Sequence, residues 1–289
     1  MNAKVSSLSL RASRSFLTIV GKSFPIFTAK LFFYFFSIPP KRKFRNSQLN
    51  LKNKAVITAI NFTKYKFDND NIKITTYKWG TSDKKIMLLH GWGSTPLDFE
   101  ILITTLVVEG FEAISFDAPA HGYSQGKNSS LIQYVHIIDQ FIEKNPDLYA
   151  IIGHSLGGLA AGAAAVNNNL SVPKVIMLSC TISANSIFNE TFNQLNIPPA
   201  VREKVFEFAS LKLKDDFENY DLNTLINKIK SSKLLIIYDS NDQIIIPETI
   251  EKLLNQYSYI QSLKIKGEGH FKIMKNTEAI NSVIQFLKN

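Results

Sequence analysis

The chain predicts an α/β fold: a mostly parallel central sheet with helices on both faces. Three observations carry this. Short apolar runs rich in Ile, Val and Leu alternate with helical patterns from Ile86 to Leu287. Most of these runs open into loops of Gly, Asp, Ser or His. One run, Ala150–Gly153, passes through a single serine, Ser155, into a helix of small residues. Strands buried on both faces read as continuous apolar runs, and regular strand-helix alternation makes their sheet parallel.

The chain has 289 residues, 45% hydrophobic and 20% charged, an ordinary globular balance. Its net charge of +9 is uneven, because residues 1–54 carry eleven Lys and Arg and no acid. The remaining 22 basic and 24 acidic residues nearly balance, which argues against nucleic acid as a partner of the body. The one cysteine, Cys180, excludes an internal disulfide framework and a zinc cluster, and at the end of an apolar run it reads as a buried structural thiol.

Residues 1–63 read as a basic N-terminal extension. Residues 1–22 are polar and serine-rich, and residues 24–38 are dense in aromatics. Pro25 suits a first helical turn and Pro39-Pro40 stops the run. Its uninterrupted apolar part, Leu31 to Phe36, is far short of the ~20 residues that span a bilayer. Three readings stand: a helix docked on the body, an interfacial helix whose Lys41–Arg45 flank attracts anionic headgroups, or an export segment. Residues 24–45 are therefore the candidate for peripheral membrane contact in a chain otherwise expected in the cytoplasm.

From Lys64 the period changes to two. Tyr65–Phe67, an Asx-rich turn at Asp68–Asn71, and Ile72–Trp79 predict an N-terminal β-hairpin. Strands are then expected at Ile86–His90, Ala113–Phe116, Tyr149–Gly153, Lys174–Leu178, Leu234–Tyr238 and Gln261–Ile265. Helices are expected at Leu97–Glu109, Leu131–Lys144, Leu159–Val166, Pro247–Gln256 and Glu278–Leu287. Residues 181–232 interrupt the alternation with apolar groups that lack strand character. They read as a helical lid inserted between the two parts of the core, 64–180 and 233–289, with Phe188 and Phe192 among candidate substrate-binding aromatics.

Gly153-His154-Ser155-Leu156-Gly157 is a G-x-S-x-G elbow. A nucleophilic serine on a tight strand-to-helix turn crowds its neighbours, so Gly153 and Gly157 stand where a Cβ would collide. His154, beside the nucleophile, is a further substrate-binding candidate. His90-Gly91-Trp92-Gly93 follows an early buried strand; the backbone N–H of Trp92, with that of Leu156, would form an oxyanion hole. Asp239 and Asp242 both follow the strand Leu234–Tyr238, where a triad carboxylate belongs, and Asp242 lies deeper in the loop. His270, in Gly267-Glu268-Gly269-His270, is the only one of five histidines in a late glycine-rich loop. His121 sits in a loop read as structural.

On these residues the chain resembles the α/β-hydrolase fold over roughly residues 64–289. His90–Gly93, Phe116–Ser124, Gly153–Gly158, Asp242…Pro247 and Gly267–His270 stand where that superfamily has its motifs, and Ser155…Asp242…His270 follows its triad order. It is similar, within the superfamily, to bacterial hydrolases with a basic aromatic N-terminal helix, which favours the docked or interfacial reading over a transit peptide. The resemblance implies a serine hydrolase acting on a small acyl ester or thioester, with no metal or cofactor. An acyltransferase or lyase on the same triad, and a non-catalytic ligand-binding member, are the alternatives. Serine at the elbow speaks against haloalkane or epoxide chemistry, which would need aspartate there. Pro247 follows Asp242 by five residues where the superfamily usually has four, so both Asp242 and Asp239 stand as the triad acid.

Overall fold

The computed structural model describes residues 14, 17–65, 70–167, 172–229 and 233–289. They divide into two compact units, Pro39–Ile182 with Tyr220–Asn289, and Met1–Ile38 with Ser183–Asn219.

The larger unit is built on eight strands: β1 Val56–Thr63, β2 Asn71–Trp79, β3 Lys85–Leu89, β4 Glu112–Phe116, β5 Leu148–His154, β6 Lys174–Leu178, β7 Lys233–Asp239 and β8 Gln261–Ile265. Their order in the sheet is β1-β2-β4-β3-β5-β6-β7-β8. β1 pairs β2 and β2 pairs β4 antiparallel, and every other pairing is parallel. Helices cover both faces. Ile86 to Leu89, Ala150 to Ile152 and Val175 to Leu178 are buried on both sides of the sheet, hence their unbroken apolar runs. The loops after β3, β5, β7 and β8 all leave from the carboxyl edge of this parallel part, where doubly covered sheets hold their ligands.

The strands and helices expected from Ile86 onward fall within a few residues of the observed ones, but the hairpin differs. Its first strand is Val56–Thr63, earlier than the expected 65–67, and residues 66–69, which include half of the expected turn, lie outside the described residues. A helix at Asn46–Asn53, not expected, precedes it. The segment from Pro39 to Thr63 is thus part of the sheet unit rather than of a separate extension. Arg42 pairs with Asp98, and Arg45 lies 3.3 Å from Glu100, so half of the Lys41–Arg45 cluster has carboxylate partners in the body.

The smaller unit is helical. The aromatic helix runs from Pro25 to Phe36, opened by Pro25 as expected, and packs on the inserted helices Ala184–Leu195 and Pro199–Leu213. Phe36 stacks on Phe188 with centroids 4.7 Å apart, Phe32 meets Phe192 at 5.1 Å, and Phe33 meets Phe208 edge-on at 5.5 Å. Phe188 and Phe192 are both buried in this aromatic core, together with Phe206 and Phe217. Tyr220 and the short helix Leu222–Ile226, placed in the insertion by sequence, belong to the sheet unit. No helix among the described residues is long and apolar enough to cross a membrane.

Candidate active site

Ser155 stands between β5 and the helix Leu156–Asn167 with φ +56°. That left-handed conformation strains a residue with a Cβ and persists only where its surroundings over-determine it. Here they do. Its N–H donates to Leu178 O at 3.0 Å, and its carbonyl accepts from Gly158, Leu159 and Thr181. The glycines the sequence singled out are sterically required. A Cβ on Gly153 would sit 2.2 Å from Gly157 O, one on Gly157 would sit 2.1 Å from Leu89 O, and one on Gly158 would meet Cys180 Cβ at 2.5 Å. Cys180 itself is buried, and burial pushes its thiol up to about 12.

Of the two candidate carboxylates, Asp242 is the one bonded to His270, with Oδ2 2.8 Å from Nδ1. Its Oδ1 accepts the N–H groups of Ile244 and Ile245 at 2.8 and 2.9 Å, so the one extra residue before Pro247 is folded into a turn around the carboxylate. Burial works to raise the Asp242 carboxyl, but the His270 bond and charge and the two amides outweigh it and hold the pKa below the ordinary value. Asp239 is used otherwise: Oδ1 accepts from Asn241 N and Oδ2 from Glu268 N at 2.8 Å, tying the loop after β7 to the loop after β8.

His154 points inward. It is 1% exposed, its Nε2–H donates to the backbone carbonyl of His270 at 2.8 Å, and its ring centroid lies 4.8 Å from that of His270. Burial, then the neighbouring His270, push its pKa down to about 3, so the ring is neutral. Its contacts are therefore with the His270 loop rather than with an open binding surface. Nδ1 is buried without a hydrogen-bond partner.

The loop after β3 is held by two histidines whose role in pinning it the sequence did not reveal. His90 Nδ1–H donates to Gly91 O and its Nε2 accepts from Ala118 N; His121 Nδ1–H donates to Pro119 O and its Nε2 accepts from Gly93 N at 3.1 Å. Carbonyl and amide partners fix each ring's tautomer. Burial lowers His90 to about 3 and His121 to about 4, so both stay neutral. Trp92, between the pinned glycines, is half-buried and lies edge-on to His121. Gly91 abuts the elbow: a Cβ there would lie 3.0 Å from Ser155 Cβ. Leu156 opens the helix after Ser155, where the first N–H groups have no intrahelical carbonyl.

Beneath this loop lies Asp98, also unread in the sequence. Its carboxylate collects Ser94 Oγ at 2.5 Å, Thr95 N at 3.2 Å, Gln48 Nε2 at 2.9 Å and Arg42. Burial would raise it, yet the Ser94 and Arg42 bonds leave it below its ordinary pKa. Thr95-Pro96-Leu97-Asp98 at a helix start was the available signal, since an acid three residues after Thr can close back on the cap.

The comparisons agree with this architecture. Residues 86–225 match the model of the alpha/beta hydrolase family. The Pyrococcus furiosus esterase Pf2001 superposes with a TM-score of 0.64 at 19% identity, covering 86% of this chain and 98% of that one. The fold is the α/β-hydrolase fold. A serine hydrolase-like protein of Dictyostelium discoideum is 30% identical over 114 residues, 37% of this chain and 32% of that protein. A pimeloyl-[acyl-carrier protein] methyl ester esterase of Pectobacterium carotovorum is 27% identical over 140 residues, 48% of this chain and 50% of that protein. The chain thus matches no more than about half the length of these curated relatives.

Proposed function

We propose that the protein is a serine hydrolase that cleaves a small carboxylic ester or thioester through an acyl-enzyme. Ser155 Oγ attacks the carbonyl carbon while His270 Nε2 takes the hydroxyl proton. The tetrahedral oxyanion is met by the backbone N–H of Trp92 and that of Leu156, the latter at the positive end of its helix. Collapse expels the alcohol or thiol, to which His270 returns the proton. Water then attacks the acyl-serine by the same route and releases the acid. Asp242 keeps the proton on Nδ1, leaves Nε2 as the basic nitrogen, and stabilises the imidazolium.

The observation that carries this reading is the 2.8 Å bond between His270 Nδ1 and the buried Asp242 carboxylate, which keeps Nε2 the basic nitrogen of the ring. The strained serine at the end of β5 is the nucleophile that such a base would serve. The esterase names among the relatives and structural neighbours support the bond type cleaved. A fluorophosphonate probe located by mass spectrometry tests it. Ser155 is expected to carry the label, and Ser155→Ala to remain folded and unlabelled. Label persisting on another serine of that variant would overturn the assignment. A series of p-nitrophenyl esters then gives the acyl length. Labelling without hydrolysis would point to transfer onto an acceptor other than water.

A further inference from the structure

The helix Pro25–Phe36 has two apolar faces, and only one of them is used. Thr28, Ala29, Phe32 and Phe33 are buried against the inserted helices. The opposite face presents Ile26, Phe27, Tyr34 and Phe35 with Lys30 among them, and Phe24 precedes it. Phe24, Phe27 and Phe35 are 64%, 60% and 62% exposed. They are three of the four exposed phenylalanines among the described residues, so the exposure is concentrated on this helix and not scattered over the surface. Scattered single apolar groups are ordinary, whereas a contiguous patch marks an interaction surface.

We propose that this face docks on an anionic lipid surface. Charge selects that occupant. Lys22 and Lys30 are exposed beside the aromatics, and residues 1–54 contain no acid. Two copies meeting through this face would bring Lys22 and Lys30 of one against the same cations of the other. An anionic headgroup layer instead complements the cations while the rings enter the boundary below it. The helix needs no transmembrane length for this, because its other face stays anchored in protein. The inference is independent of whether the chain hydrolyses esters.

Co-sedimentation of the full chain with vesicles tests it. Binding is expected to phosphatidylcholine vesicles containing phosphatidylglycerol, weakly or not at all to phosphatidylcholine alone, and is expected to fall as salt is raised. Phe27→Ser and Phe35→Ser should each lower the partition coefficient by about tenfold, the effect of losing roughly half the burial of one ring. Lys22→Gln with Lys30→Gln should remove much of the preference for the anionic lipid. Both phenylalanines are exposed, so circular dichroism and the urea midpoint of each variant serve as the check on folding. No sedimentation with the anionic vesicles, or sedimentation unchanged in the double Phe variant, would overturn the proposal. So would a wild-type dimer by light scattering that the double variant dissociates, since the face would then belong to a second copy.

Discussion

At the scale of single residues the proposed reaction would use some groups of the site for protons and others to hold those in place. Asp239 ends β7 and Asp242 lies in the loop after it, yet only Asp242 bonds His270 Nδ1, whereas Asp239 accepts the amides of Asn241 and Glu268. Asp242→Asn is expected to lower kcat by about 10⁴-fold at unchanged stability, because an amide can favour the wrong tautomer. Asp239→Asn should lose about 1–3 kcal/mol of stability, by weakening acceptors that two amides need, while keeping most of the turnover per folded molecule. Steady-state kinetics beside urea unfolding distinguish them; the reverse pattern would make Asp239 the triad acid. His154 acts through the His270 backbone. His154→Leu removes the donor to His270 O and should lower kcat by up to about 10²-fold with KM little changed, as a small misplacement of a base does. Gln carries its amide nitrogen near the position of Nε2, so His154→Gln should restore most of kcat. A loss that Gln does not rescue would assign the effect to packing.

At the scale of elements, the elbow works because strand β5, the loop after β3 and the helix after Ser155 approach more closely than side chains allow. Gly157 makes the point against Gly110. A Cβ on Gly157 meets the backbone oxygen of Leu89, whereas one on Gly110 meets nothing within 4 Å although its φ is +82°. Gly157→Ala should therefore destabilise by about 3 kcal/mol or more through forced backbone movement, and Gly110→Ala by about 1–2 kcal/mol from its backbone alone. Urea midpoints of the two variants measure this, and equal losses would remove the steric account. The same contrast explains what the sequence revealed. β3, β5, β6 and β7 were readable because both their faces are buried. β1 was not, because Val56, Ile57, Thr58 and Ala59 are exposed and no alternation remains to read. The helix Asn46–Asn53 buries only Gln48 and Leu51 and is held by distant polar groups, Gln48 on Leu97 O and Asp98, Trp79 Nε1 on Leu51 O. The elbow, Asp242 and His270 could be found from local chemistry. The supports of the site, Asp98 and the tautomers of His90 and His121, depend on partners far along the chain.

At the scale of the whole molecule, burying neutral imidazoles around one edge of the sheet makes stability depend on acid. His90, His121 and His154 have folded pKa values of about 3, 4 and 3, against about 6.5 in an unfolded chain. Above pH 6.5 these rings are neutral in both states and contribute no slope. Below it the unfolded chain binds three protons that the folded chain refuses, so stability falls with falling pH. Asp117 works the other way. Its carboxyl is buried, accepts from Tyr77 OH and Tyr123 N, leaves Oδ1 unpartnered, and is raised by burial to about 7. Between about pH 7 and 4 the folded state binds that proton first, which cancels one of the three. The remaining two give a slope of about 2–3 kcal/mol per pH unit from roughly pH 6 to 4. A domain of ordinary stability, about 5–15 kcal/mol, loses much of its margin across that span. Urea midpoints measured from pH 8 to 4 should stay level down to about pH 6.5 and then drop steeply. Asp117→Asn removes the opposing proton and should steepen the drop by about half, whereas His121→Gln should make it shallower. A midpoint that stays level to pH 4.5 would mean that these imidazoles accept protons in place, which their carbonyl and amide partners at both ring nitrogens of His90 and His121 do not permit.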